Sequence, residues 1–320
     1  MGLRISAARR QPWSFRDIMY TSRVQLSPRG HPVQLQNLLF LAFASLHGAA
    51  SCNAEPAGDA DPSHDQQLLD RRYDQVAHLM THNAMSNRAE GWLFPNQSYG
   101  LTRQLNDGVR GLMLDVHALD GQPYLIHNKP LLGKRPLVEG LQEIGRFMQS
   151  HPQAIVTIIF ESYVPAKSVQ QAFRDAKLLG SLHHQQRHAA WPTLRQLVNT
   201  GKRLVVFTDS GGGEWPGYHG VWTFCQETHF SVKKVTDFTY RRNRGQASNR
   251  LMILNHFLTN PEATTRLAQQ ANRSDVLRPR MRSCLAETER YPNFIVVDFY
   301  EIGDTRKTVD QFNLRSKASP

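Results

Sequence analysis

Residues 78–87, HLMTHNAMSN, form an apolar run that ends on His82 and Asn83. A histidine exchanges a proton near neutral pH, and an amide oxygen can ligate a hard cation. The pair suits the edge of a reaction centre and a capped strand end equally well. The same pattern recurs along the chain, where successive apolar runs empty into THN, DVH, HNK, ESY, TDS, QET, NHF and DFYE. These endings carry His82, Asn83, Asp115, His117, His127, Glu161, Asp209, Glu227, His256 and Asp298. Histidines and carboxylates are the side chains of general acid–base chemistry, and carboxylate and amide oxygens are those of hard-cation binding. Packing alone gives no reason for so many of them to close strands at the same end.

The runs that must position these residues are VAHLM, GLMLD, YLIH, AIVTIIF, LVVF, GVWTF, LMIL and FIVVDF. Most are separated by segments of helical periodicity. In PLVEGLQEIGRFMQ, for example, Leu137, Leu141, Ile144 and Met148 share one face. SVQQAFRDAKLL, PTLRQLVN and PEATTRLAQQA read likewise. Alternating strands and helices predict an α/β fold with a parallel sheet, and eight strands in residues 73–320 predict a single-domain, irregular (β/α)8 TIM barrel. In such a barrel the C-terminal strand ends converge on one mouth, where the active site lies. Only LDGQP separates the second and third runs, too little for a helix. A hairpin with a three-residue loop at Asp120–Gln122 is expected, with His127 opposite Asp115 and on its face.

The front of the chain reads as an address. Residues 1–51 hold six arginines against one acid, which leaves only about +6 of the net +11 on the remainder. That balance favours anionic partners weakly, and no interleaving of basic and aromatic residues points to nucleic acid. LLFLAFASLHGAASC is too short to span a bilayer but suits a secretory signal. Its end resembles a bacterial lipoprotein signal, in which Cys52 is acylated and residues 52–72 form a polar tether. The chain is thus expected to be exported, either membrane-anchored through Cys52 or cleaved and secreted or periplasmic. Cys225 and Cys284 then remain, as a disulfide or as two buried thiols, and no cysteine spacing suggests zinc. DSGGGEWPGYHG lacks any nucleotide-loop pattern and reads as a surface connection or a loop closing over a bound group.

THNAMSN, GVRGLMLDVHALDGQPYLIHNKP, AIVTIIFESYV and PNFIVVDFY resemble successive blocks of the phosphatidylinositol-specific phospholipase C X-domain family, over about residues 74–304. The resemblance is greatest to its secreted phospholipase-C-like phosphodiesterases. It implies the same irregular barrel and a phosphodiesterase acting on a lipid or inositol phosphodiester at a membrane surface. His82 and His127 fall at the family's catalytic histidines. The resemblance makes His82 the base for the attacking hydroxyl and His127 the acid for the leaving alkoxide. Two groups are needed because in-line attack and departure lie on opposite sides of phosphorus.

In the family's calcium-dependent members a metal meets the charge on the nonbridging oxygens. Asn83, Asp115 and Glu161 match three of its ligand positions, which implies a divalent cation, Ca²⁺ ahead of Mg²⁺. The fourth position departs, because Met113 stands where the first acid would be. The arginine that metal-free members carry at the position of Asp115 is absent too. Lys129 is a further source of positive charge, and Glu227 and Tyr300 are candidates for substrate contact or for packing behind it. Other readings are a glycerophosphodiester phosphodiesterase or sphingomyelinase-D-like enzyme, whose Glu-x-Asp pair the second strand lacks, and a barrel that binds headgroups without catalysis.

Overall fold

The computed structural model describes residues 68–315; the leader at 1–51, Cys52 and most of the expected tether lie outside the described residues. The chain is already packed at Leu68 and Leu69, which are buried with Tyr73, Trp191 and Leu194, five residues ahead of the expected domain start. Among the described residues no helix is long and apolar enough to cross a membrane.

The strands are β1 (His78–Thr81), β2 (Gly111–Leu119), β3 (Gln122–Leu125), β4 (Arg135–Pro136), β5 (Val156–Ser162), β6 (Leu204–Thr208), β7 (Tyr218–Gly220), β8 (Cys225–Thr228), β9 (Arg242–Arg244), β10 (Leu251–Asn255) and β11 (Pro292–Val297). They pair in the order β7, β6, β5, β2, β1, β11, β10, β8, β9, with β3 on β2 and β4 on β3. Every pairing is parallel except the β2–β3–β4 flap and β8–β9. The sheet curls into the irregular barrel that the alternation predicts. Among the described residues its ladder stays open between β7 and β8.

Alternation along the strands sorts the core into two layers. Met80, Ile159, Val205, Phe207, Ile253, Phe294 and Val296 point into the barrel, with Met113 against them. Leu112, Leu114, Ile158, Phe160, Val206, Ile295 and Val297 face the helices. Truncating a fully buried ring such as Phe207 to alanine would cost about 3–5 kcal/mol, so the inner layer is a stiff floor beneath the mouth.

The helices are α1 (Leu101–Asn106), α2 (Leu137–Ser150), α3 (Ala166–Asp175), α4 (Leu194–Asn199), α5 (Val221–Phe224), α6 (Thr265–Ala271), α7 (Ser274–Thr288) and α8 (Thr305–Arg315). The expected face of α2 is buried at Leu137, Leu141, Ile144 and Met148. A capping box starts α4, where Thr193 Oγ1 accepts from Gln196 N at 3.2 Å and Gln196 Oε1 accepts from Thr193 N at 2.8 Å.

Two expectations are corrected. GVWTF is not a strand: β7 ends at Gly220, Val221–Phe224 form the turn of α5, and β8 begins at Cys225. A short apolar run buries its side chains equally well from either conformation, and Trp222 and Phe224 pack on the inner layer from this helical turn. The β2–β3 hairpin has a two-residue loop, Asp120 (φ +49°) and Gly121 (φ +74°), because left-handed turn residues match the strands' twist. Leu119 therefore pairs with Gln122, and Ile126, not His127, lies opposite Asp115, its N donating to Asp115 O at 3.2 Å. Cys225 and Cys284 are both buried free thiols, one in each core layer.

Candidate active site at the barrel mouth

β1 ends at Thr81, and the chain turns at Asn83, whose φ of +45° is one that asparagine tolerates better than most residues. The turn is fastened by Gln97, whose Nε2 donates to His82 O at 2.8 Å and to Val297 O at 3.1 Å. His82 is thereby set at the end of β1, a quarter exposed, with Nδ1 3.0 Å from Asp298 Oδ1 and its ring stacked 4.0 Å from that of Phe257. Asp298 is almost fully buried. Its Oδ1 also accepts from Asn96 Nδ2 at 3.0 Å, while its Oδ2 has no partner among the described residues. With Nδ1 held by Asp298, the nitrogen His82 offers to a substrate is Nε2.

His127 reaches the mouth in spite of the hairpin's shifted register. The chain leaves the ladder after Leu125 and turns through Asn128 (φ +64°), with Lys129 N donating to His127 O at 2.9 Å. His127 Nε2 lies 3.2 Å from Asn83 Nδ2 and 3.3 Å from Asn128 Nδ2. Both neighbours are donors, so this nitrogen accepts and the resting ring is neutral. Burial, and then the nearby His82 and His117, push its pKa down to about 4. His82 and His127 thus face one mouth, bridged through Asn83.

Asp115, Glu161 and Asp209 form a row across three adjacent strands. Asp115 is the Cα partner of Glu161 on β5, and Asp209 N donates to Phe160 O at 3.0 Å just past β6. Burial, and then the charges of Glu161 and Asp209, hold the Asp115 carboxyl well above its usual range. Burial likewise pushes Asp209 up to about 6, against the hydrogen bond its Oδ1 accepts from Ser162 N at 2.9 Å. Tyr163 donates its hydroxyl to Glu161 Oε1, and its ring stacks on His117 with centroids 4.3 Å apart. Among the described residues no three His, Cys, Asp or Glu side chains are arranged to hold a metal ion by themselves. The donor set still suits a hard cation: a row of crowded carboxylates with the Asn83 amide in the same mouth, where waters and substrate oxygens would complete the shell. Met113 belongs to the layer below, packed on the apolar floor.

The remaining expected contacts divide. Glu227 lines the mouth wall, but its carboxylate is committed. Oε1 accepts from Arg244 Nε and from Asn243 Nδ2 at 2.9 Å, and Oε2 from Asn255 Nδ2 at 3.1 Å. Lys129 is exposed beyond His127. Tyr300 is a correction: it faces the outer core layer, and its hydroxyl donates to Asp107 Oδ2 at 2.6 Å, because this position of the chain points away from the barrel axis. His256 also turns outward, its Nε2 2.8 Å from Ala271 O and its ring on Phe238.

Sequence reasoning missed Asn96, Phe257 and Arg244. Asn96 sits in a loop with no periodicity to mark it. Arg244 enters on β9, an antiparallel strand of three residues, and its guanidinium lies 4.2 Å from the Trp222 ring and 5.0 Å from the Phe230 ring. Its charge reaches Asp209. The one available signal was the cluster of arginines in RRNR.

Comparison with known proteins agrees with this geometry. A PI-PLC X family model matches residues 68–313. A PI-PLC X domain-containing protein of Arabidopsis thaliana is 30% identical over 258 residues, 72% of this chain and 59% of that protein. An uncharacterized secreted protein of Arthroderma benhamiae is 27% identical over 270 residues, 75% of this chain and 60% of that protein. The chain thus spans about six-tenths of the length of these two relatives. In fold it is similar to the phosphatidylinositol-specific phospholipase C of Listeria monocytogenes, with a TM-score of 0.53 at 14% identity over 79% of this chain and 99% of that one. A phosphatidylinositol-specific phospholipase C of Staphylococcus aureus gives a TM-score of 0.56 at 11% identity over 80% of this chain and 96% of that one. The match over most of the chain and the shared barrel establish that this chain belongs to the PI-PLC X family.

Proposed function

We propose that the chain is an exported phosphoric diester hydrolase of the phosphatidylinositol-specific phospholipase C type, cleaving a lipid or inositol phosphodiester between His82 and His127. The observation that carries this reading is the unlike setting of the two histidines in one mouth. Asp298 holds His82 by Nδ1 at 3.0 Å, while His127 rests neutral across Asn83. His82 Nε2 takes the proton of the attacking hydroxyl, and His127 returns a proton to the departing alkoxide. Phosphate bound between them supplies the negative charge that the resting site lacks beside His127, and so favours its protonated form.

Asn83, Asp115 and Glu161 would hold a divalent cation, with Asp209 beside them in place of the acid that Met113 replaces. Bound there, the cation would neutralise the nonbridging oxygens. The secreted relative and the expected leader support export. The substrate class is supported by the solved neighbours, which are named for phosphatidylinositol. Met113 favours a second reading, a barrel that binds headgroups without turnover. Turnover by the purified protein on phosphatidylinositol, lysophospholipid and glycerophosphodiester separates these. Release of phosphorylated headgroup from the first supports the main reading, cleavage of the others alone would reassign the substrate, and binding without cleavage would select the second reading.

A further inference from the structure

β11 ends just before Asp298, and the chain beyond it is held from two sides. From the mouth, Asn96 O accepts from Phe299 N at 2.8 Å, Asn96 Nδ2 donates to Asp298 Oδ1 at 3.0 Å, and Gln97 Oε1 accepts from Tyr300 N at 3.3 Å. From the helix side comes Asn272, the residue that caps the end of α6. Its Nδ2 donates to Asp298 O at 2.9 Å and to Phe299 O at 3.2 Å. Both partners are carbonyls, so the amide must present its NH2 end to them. Successive carbonyls of a regular strand point to opposite sides, where one donor cannot reach both. They converge here because Phe299 stands at φ +45°, a left-handed conformation that is costly for a buried aromatic residue and persists only where its surroundings impose it.

Asn272 is itself fixed. It is 1% exposed, and its N donates to Ala268 O at 2.8 Å. Gly303, at φ +76°, approaches so closely that a Cβ there would come within 2.5 Å of Asn272 O. Asn272 Oδ1 has no partner among the described residues, so the amide works through its donor end alone. The end of α6 is also tied to β10: His256 Nε2 donates to Ala271 O at 2.8 Å, and Leu267 and Ala271 pack on Leu258. Between His256 and Leu258 stands Phe257, whose ring stacks on His82. The two neighbours that set His82, Asp298 and Phe257, are thus both anchored on the end of one helix.

We propose that Asn272 is a positioning residue for the His82–Asp298 pair: by gathering the carbonyls of Asp298 and Phe299 it holds the turn that aims the Asp298 carboxylate at His82 Nδ1. The proposal rests on the phosphodiesterase reading for its purpose, but its first readout needs no turnover. The ring nitrogens of His82 are followed by ¹⁵N NMR at alkaline pH, in the full chain labelled at histidine. Wild type should hold the Nδ1–H tautomer. Asn272→Leu fills much the same space without the donor and should show a mixture of tautomers. Gly303→Ala, which displaces Asn272 with its amide intact, should shift the same signals. Phe173→Leu, a core truncation in α3, is the control for lost stability and should leave them unchanged. On phosphatidylinositol, Asn272→Leu should lower kcat at least about tenfold with KM nearly kept, since a misplacement of about 1 Å can cost on the order of 10²-fold. Added to Asp298→Asn it should cost little more, because both act through one contact. A changed tautomer in a chain that turns over no phosphodiester would leave the positioning role standing and remove the enzyme reading. A wild-type tautomer in Asn272→Leu, a mixture already in wild type, or additive losses in the double variant would overturn the proposal. So would unfolding of both Asn272→Leu and Gly303→Ala, which would assign Asn272 to stability.

Discussion

Nδ1 of His82 and Oδ1 of Asp298 are 3.0 Å apart, and the two residues come from opposite ends of the domain, each just past the end of neighbouring strands β1 and β11. The contact fixes the ring's tautomer and its direction. Asp298→Asn keeps the shape but replaces an acceptor-only carboxylate with an amide that can also donate, so the tautomer is no longer imposed. Turnover should fall at least about tenfold with little change in KM, because the loss is felt in proton transfer rather than in binding. An unchanged kcat would mean that Asp298 only packs.

The crowded acids predict a cation effect that is visible without activity. Asp115 and Asp209 must lose protons that burial favours, so Ca²⁺ should raise the melting temperature more at pH 7.5 than at pH 5. Asp209→Asn should shrink that shift. Met113→Glu should move half-maximal stabilisation and activation to lower Ca²⁺, while a chelator abolishes turnover. A melting temperature indifferent to Ca²⁺ and Mg²⁺ would contradict the cation.

Stability should fall on acidification. Burial lowers His78, His127 and His219 to about 4 and His256 to about 3. The unfolded chain therefore binds more protons between about 6.5 and those values, and stability is lost as pH drops through that window. Asp115 and Asp209, raised by burial, act in the opposite sense. Their contribution is present below the usual carboxylate value and lost as pH rises, for Asp209 through about 6. The four histidines outweigh the two acids, so the urea midpoint should be lower at pH 5 than at pH 7. An equal or higher midpoint at pH 5 would show that these rings are hydrated in the fold.

Arg244 should govern substrate binding. Glu227 fixes its guanidinium against Trp222 and Phe230, with its charge turned toward the acids. Arg244→Lys loses the planar, stacked fork, and KM should rise about tenfold with kcat nearly kept. A loss confined to kcat would place Arg244 in the chemical step instead.

Much of this arrangement was legible in the sequence because strand alternation is a physical period. The barrel, the burial of Leu137, Leu141, Ile144 and Met148, and the convergence of His82, Asn83, Asp115 and Glu161 all follow from it. His127 was placed in the mouth by a register that the structure does not have; it arrives through the turn at Asn128, which alternation cannot describe. Tyr300 was misplaced because the side chain after a strand need not keep the strand's inward phase. Helix α7 was not foreseen because Pro279 interrupts its pattern. Asn96 and Arg244 depend on contacts between distant segments, and local periodicity carries no information about those.

The central claim is that His82 and His127 carry the two proton transfers of one displacement, and the most direct measurement is turnover of phosphatidylinositol by wild type, His82→Ala and His127→Ala, with products followed by phosphorus NMR. Wild type should release a phosphorylated headgroup. Each variant should be slower by on the order of 10²–10⁴ with its fold intact by circular dichroism. The double variant should be little worse than either single one, because the two groups act in one step. Near-wild-type turnover in either single variant would contradict the account.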